Sequence, residues 1–346
     1  MRMSMQSSAI SCNVVPVTLN RVRPIAAVGE HGGMPPVTAS GVRATWESLP
    51  AAVRAGVEDV LSSPIVAAVN QSGGFSPGLA ARVRCADGGR AFVKAVGTPL
   101  NPESPGIHRR EAVVAAALPA GVPVPRLRGC YDDGDWVALV FDEVDGRMPH
   151  DPWRPDELRL VAAAVTELSR SLTPCPVPSP RPALDALREQ MLCYRTLAAD
   201  PPADLDPWER RHLDRLADLA ASALDVVDGD TLVHFDLRAD NVLLDGSRVW
   251  FVDWPWAFRG AAWIDSVMLV KNAVFHGRDP EPYLDGHPLL AGVDPWYVTA
   301  FLAGMAGFFR EYGRRPAPPG LPTLRAFQLA QHATTLAWVR RRTGWA

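Results

Sequence analysis

The chain has 346 residues and a formal net charge of −3, with 47% apolar and 21% charged residues. That balance suits one large or two moderate globular domains with a sizeable core, and it gives no bulk positive field for nucleic acid or an anionic membrane. No apolar run approaches the roughly 18 residues of a membrane span, and five scattered cysteines without CxxC spacing point to reduced, cytosolic thiols rather than a disulfide framework or zinc site.

Residues 1–43 show neither sustained periodicity nor the continuous apolar core of a signal peptide, so they are expected to form a disordered leader, with Met34 an alternative start. Ordered pattern begins at Ala44. In "TWESLPAAVRAGVEDVL", Leu49, Val53, Val57 and Val60 recur at helical spacing, with Ser48 as cap and Pro50 in the first turn. Three strand-like runs follow, "IVAAVNQ", "LAARVRC" and "RAFVKAV". The first two are separated by "SGGFSPG" and the last two by "ADGG", whose Asp-Gly is a hairpin signal. A helix is predicted over "HRREAVVAAAL", then a second hairpin from "RLRGCY" and "WVALVFDEV". The order β-β-β-α-β-β predicts a small antiparallel-sheet lobe at 44–143.

After "DGRMP" the pattern turns helical, in "PDELRLVAAAVTELSRSL", "ALDALREQMLCYRTLAA" and "PWERRHLDRLADLAASALDVV", with the loop "TPCPVPSPRP" between the first two. The tail adds three more helices, "AWIDSVMLVKNAVF", "DPWYVTAFLAGMAGFFREYG" and "PTLRAFQLAQHATTLAWVRRRT". Residues 144–346 thus form a mainly helical second lobe.

Between these helices lies "LVHFDLRADNVLLDGSRVWFVDW", Leu232 to Trp254. Its polar residues sit among short apolar strand runs, and a desolvated carboxylate needs a partner or a cation. Asn241 and Asp253 flank two strands joined by the turn "DGS", so a hairpin brings them together at its open end. An amide oxygen and a carboxylate at one point make a hard-oxygen site suited to magnesium. Asp236, five residues before Asn241, is spaced to face away from the metal and accept a hydroxyl proton.

"HFDLRADN" followed by "VDW" resembles the catalytic loop and metal motif of the protein-kinase-like fold, and most closely the aminoglycoside phosphotransferase and choline kinase group. The resemblance implies an α+β, two-lobed kinase-like fold using ATP or GTP with Mg2+. It implies that Asp236 is the catalytic base, that Arg238 contacts phosphate, that Asn241 and Asp253 hold the metal, and that His234 braces the loop. In the first lobe, Gly73, Gly74 and Ser76 of "GGFSPG" would cover the phosphates, Lys94 would bind them, and Glu111, opening the next helix, would pair with Lys94. "LVFDEVDGR" resembles the hinge, with backbone groups from Phe141 to Glu143 at the adenine edge and Leu243 and Val252 lining the base pocket.

Protein kinases place a long activation segment between the metal-binding Asp and a helix opened by another Asp. Here "WPWAFRGAAWID" reaches Asp265 only twelve residues after Asp253. That gap favours a small-molecule acceptor, either an aminoglycoside-like antibiotic or an amino-alcohol or sugar metabolite, over a protein kinase or a regulator that has lost turnover. Phe235, Pro255 and Trp263 depart from the family's usual residues without removing a catalytic group. Two features bear on the acceptor, and neither decides it, since a solvated acidic loop and core-packing tryptophans account for them equally. One is a loose acidic region, Asp279, Glu281, Asp285 and Asp294, which suits a polycation. The other is a set of tryptophans, Trp254, Trp256, Trp263 and Trp296, whose faces could hold a choline-like cation.

Overall fold

The computed structural model describes residues 41–71, 74–75 and 77–346; the leader, Gly73 and Ser76 lie outside the described residues. A 3-10 turn, Trp46–Ser48, precedes helix α1, Ala51–Leu61. This corrects the single helix expected from Ser48. The Ser48 hydroxyl accepts from Thr45 N and donates to Thr45 O, so it closes the short turn, and Pro50 occupies the cap of α1 without a side-chain cap bond. Val53 and Val57 are fully buried at α1, each stabilising the fold by about 1.5–3 kcal/mol relative to exposure.

The strands appear where alternation placed them: β1 Ile65–Asn70, β2 Leu79–Cys85, β3 Arg90–Gly97, then helix α2 Ser104–Ala117, β4 Leu127–Asp132 and β5 Trp136–Phe141. They form one antiparallel sheet in the order β1-β2-β3-β5-β4. Gly78 enters β2 at φ +103°, and a Cβ there would stand 2.3 Å from the Ala95 carbonyl oxygen, so only glycine fits. Helix α2 begins four residues earlier than "HRREAVVAAAL" suggested. Asn101 Oδ1 accepts from the amides of Glu103 and Ser104, and Pro105 follows in the first turn. Glu111 is therefore mid-helix and 2% exposed rather than a first-turn acid facing water.

The second lobe is mainly helical. α3 runs Pro155–Ser171 as expected. The next two expected helices each break, into α4 Ala183–Met191 with α5 Cys193–Ala199, and α6 Pro207–Arg211 with α7 Leu213–Ser222. At His212 the ring Nδ1 approaches the Trp208 carbonyl at 2.8 Å, which stabilises the break. Short strands follow: β6 Thr231–Val233, β7 Val242–Asp245, β8 Arg248–Phe251 and β9 Phe258–Gly260, with β6 pairing β9 and β7 pairing β8. The tail comprises α8 Ile264–Phe275, the short α9 Glu281–Leu284, α10 Pro295–Gly313 and α11 Leu324–Thr343. No described helix is long and apolar enough to cross a membrane.

The segment joining the sheet to α3 is tied down by one acid. Glu157, in the first turn of α3, accepts from the His150 amide at 2.8 Å, pairs with Arg147 at 2.6 Å and meets His150 Nδ1 at 2.8 Å. Burial alone would raise its carboxyl, but these three groups hold it down at about 2. A depressed folded-state value stabilises the fold above the unfolded value near 4.3 and loses that contribution as pH falls toward 2. Glu157→Gln should therefore lower stability at neutral pH, with the difference from wild type shrinking below about pH 4 and disappearing only below about pH 2. Denaturant titrations across that range measure it.

Candidate active site

The catalytic-loop stretch is held from below by α8. Asp265, in its first turn, accepts the amides of His234 and Phe235, both at 2.8 Å. The loop turns at Phe235, which has φ +71°, and the Phe235 ring packs on Phe258 at 5.1 Å. A left-handed backbone costs a non-glycine residue about 1–2 kcal/mol, and the two hydrogen bonds to Asp265 offset it. The fully buried His234 receives the Asp236 amide on Nδ1 at 3.2 Å, so its proton sits on Nε2 and is donated to the Val252 carbonyl at 2.9 Å. His234 thereby ties the catalytic loop to the end of β8.

The β7–β8 hairpin pairs Val242 with Phe251, and the Val252 amide donates to the Asn241 carbonyl at 3.0 Å. Asn241 and Asp253 consequently flank its open end. Asn241 Nδ2 donates to the Asp236 carbonyl at 2.8 Å and to Asp236 Oδ2 at 3.1 Å. With the amino end of the amide committed, Oδ1 is the end left to a cation. Asp253 also adopts a left-handed backbone, φ +70°. Its Oδ1 receives Lys94 Nζ at 2.5 Å, and the same ammonium donates to Glu111 Oε1 at 2.7 Å. Burial would lower the Lys94 ammonium, but Asp253 and Glu111 outweigh it and its value rises. Asp253 is held at about 2 against its own burial, chiefly by Lys94. Burial raises Glu111, with Lys94 opposing it. One cation thus bridges the two lobes.

Arg238 forks onto Asp240, Nε to Oδ1 at 3.0 Å and Nη2 to Oδ2 at 2.8 Å, and its Nε lies 3.7 Å from Asp236 Oδ1. Its guanidinium also lies 5.6 Å from the Phe75 ring and 5.5 Å from the Phe327 ring. Leu243 is half-buried between the buried Val242 and Leu244, and Val252 is half-buried next to Asp253. The hinge differs in detail from the expectation. The Asp142 amide is already used by the Arg126 carbonyl at 2.9 Å, and the Glu143 carboxylate pairs with Arg90 at 2.8 Å and Arg82 at 3.4 Å. Of the three residues expected to cover the phosphates, Gly74 is described, with φ +75°.

Several residues in this region escaped sequence reading. Arg43 enters beside the loop: a Cβ on Gly74 would stand 3.4 Å from its Nη2, and Asp253 opposes the lowering that burial imposes on its guanidinium. Asn272 Oδ1 accepts Trp153 Nε1 at 2.9 Å and the Ala239 amide at 3.3 Å, bracing the loop from α8. A lysine and an asparagine within the apolar run "VMLVKNAVF" were the available signal.

The acidic region expected to suit a polycation is largely committed to the fold. Glu281 pairs with Arg342 at 3.3 Å and Arg341 at 3.8 Å, and Asp294 caps α10 through the Trp296 amide at 2.8 Å. The tryptophans make no common box: Trp254 and Trp263 are buried, while Trp256 and Trp296 are exposed on different elements. Trp254 packs against His234 at 4.5 Å. Among the described residues no cluster of three or more His, Cys, Asp or Glu could hold a metal without other donors.

Comparison with known proteins agrees with this geometry. Residues 74–296 match the model of the phosphotransferase enzyme family. The fold is similar to a thermostable mutant of aminoglycoside phosphotransferase APH(4)-Ia, solved with ADP and hygromycin B, at TM-score 0.56 and 16% identity over 84% of this chain and 98% of that one. It is also similar to choline kinase LicA from Streptococcus pneumoniae, at TM-score 0.53 and 13% identity over 83% and 97%. At such identities the likeness concerns the fold. No curated protein matches the sequence. With the family model covering β2 to β5 of the sheet, the catalytic loop and the metal-motif hairpin together, the chain belongs to the phosphotransferase enzyme family and is a small-molecule kinase with the two-lobed protein-kinase-like fold.

Proposed function

We propose that the protein transfers the terminal phosphoryl group of ATP to a hydroxyl of a small molecule, with magnesium. The observation that carries this is the meeting of Asp236, Asn241, Asp253 and Lys94 at the open end of the β7–β8 hairpin. Phosphoryl transfer demands positioning and charge neutralisation more than covalent chemistry. Asn241 Oδ1 and the Asp253 carboxylate are hard oxygen donors that fit magnesium, which when bound would neutralise charge on the phosphates. Lys94 is the cation for the phosphates, with Glu111 fixing its position from α2. Arg238, beside Asp236, adds positive charge at the transfer point. Asp236 accepts the acceptor's proton; the amide of Asn241 on its Oδ2 orients the carboxylate. Leu243 and Val252 support the base, beside the segment Phe141 to Glu143. Gly73, Gly74 and Ser76 complete the phosphate-covering loop.

Within the twelve residues after Asp253 the chain forms β9 and enters α8, reaching Asp265, a short interval that supports a small acceptor rather than a peptide. The test is a mass-spectrometric screen of sugars, amino-sugars, amino-alcohols and hydroxy acids for an added phosphate, run with Mg-ATP and, in parallel, Mg-GTP. A phosphorylated product in the ATP arm is expected. Absence of Mg-ATP binding by calorimetry would remove the reading.

A further inference from the structure

Helix α8 is buried along most of its length and carries a lysine. Lys271 is 4% exposed, and its Nζ donates to Gln331 Oε1 at 2.8 Å and lies 4.8 Å from the Phe309 ring centroid. Among the described residues no carboxylate lies within ion-pair distance of it. Gln331 is 1% exposed, and its Nε2 has no hydrogen-bond partner among the described residues. Two side chains that can donate hydrogen bonds therefore lie side by side in the interior with too few acceptors. Burying an ammonium without a counter-ion is unfavourable, and a persistently unsatisfied donor next to it compounds the cost.

Their position gives the pair a use. Lys271 and Phe275 are four residues apart on α8, and Gln331 and Phe327 are four apart on α11, so each pair lies on one helix face. Phe275 meets Phe327 at 5.5 Å, so the donor pair and the aromatic pair are successive layers of one α8–α11 seam, about 6 Å apart. Phe327 reaches Phe75 of the glycine-rich loop at 4.8 Å, and Arg238 lies against both rings. The seam thus leads from the catalytic loop, past aromatic faces, to Lys271 and Gln331. Burial lowers the Lys271 ammonium to about 7, with Asp236 acting against that fall and Arg238 adding to it.

We propose that Lys271 and Gln331 are specificity-determining residues of the acceptor site, whose N–H groups receive a carboxylate or comparable oxyanion of a substrate that presents its hydroxyl to Asp236; this rests on the phosphotransfer reading above. An oxyanion supplies the missing acceptors and the missing counter-charge at once. A polycationic amino sugar would instead bring ammonium groups toward Lys271 and Arg238. Aromatic faces at Phe75 and Phe327 suit the carbon skeleton of a small hydroxy acid.

The test uses the full chain with Mg-ATP and five probes: gluconate, glycerate, glucose, ethanolamine and kanamycin. Wild type is expected to phosphorylate gluconate or glycerate in preference to the neutral and amine probes. Lys271→Met removes the charge with a side chain suited to a buried site, and Gln331→Glu gives Lys271 an internal counter-ion. Both should raise KM for the hydroxy acid at least tenfold while leaving KM for ATP within twofold, and neither should lower Tm. Phosphorylation confined to glucose or the amines, phosphorylation of none of the probes, or an unchanged hydroxy-acid KM in both variants would overturn the proposal. Loss of the underlying kinase reading is distinguishable, because it would show as absent Mg-ATP binding by calorimetry in the wild type.

Discussion

Asp236→Asn is expected to reduce turnover by about 10²–10⁴-fold, the usual contribution of a positioned general base, while Mg-ATP affinity changes by no more than a few-fold. The two effects separate because the hydrogen-bond geometry around Asp236 tolerates an amide. Asn241 Nδ2 donates to both the Asp236 carbonyl and Oδ2, and the Asp236 amide donates to His234 Nδ1. An asparagine keeps the backbone contacts and offers its own carbonyl oxygen to Asn241. What is lost is the capacity to take a proton, together with the charge facing Arg238 at 3.7 Å. Initial-rate assays with an acceptor from the screen, alongside calorimetry with Mg-ATP, read the two quantities independently. Turnover equal to wild type would remove Asp236 from the role of base.

Lys94→Met carries the second large effect, and it falls on stability as well as activity. The ammonium neutralises Glu111 on α2 and Asp253 after β8, at 2.7 and 2.5 Å. Glu111 keeps only 3% of its side chain exposed, whereas Asp253 keeps 38%. Removing the cation leaves Glu111 as the costlier orphan, since Asp253 can turn to water. Breaking one side of a buried pair typically destabilises by about 3–5 kcal/mol, and the lower end is expected here because Lys94 itself is partly exposed. Adding Glu111→Gln to Lys94→Met should recover much of that stability, because the uncompensated charge is gone. It should not recover ATP affinity, which depends on the cation. A double-mutant cycle by chemical denaturation, paired with ATP titration, resolves the two contributions.

Much of the site was legible in the sequence because its parts are local. The interval from Asn241 to Asp253 spans one two-stranded hairpin, and a hairpin with a short turn has little choice about which residues share its open end. The strands of the first lobe follow from alternation and Asp-Gly turn chemistry. The short gap from Asp253 to Asp265 is a covalent fact and limits what can be inserted there. Helix boundaries were less legible. α2 starts at Ser104 because Asn101 folds its side chain onto two amides, and the helix expected over 207–227 breaks at His212. Both events depend on individual side-chain hydrogen bonds that periodicity does not register.

Fold class, the order of strands and helices, and the hairpin that juxtaposes Asn241 and Asp253 could be read from the chain alone, since each is a property of neighbouring residues and their side-chain period. Tertiary structure alone decided which acids Lys94 joins, since its partners lie 17 and 159 residues away. It also decided that Glu281 and Asp294 serve the fold, and that Lys271 and Gln331, 60 residues apart, share one buried layer. Charge becomes informative only once burial and distance are known, and neither is encoded in any short stretch of chain.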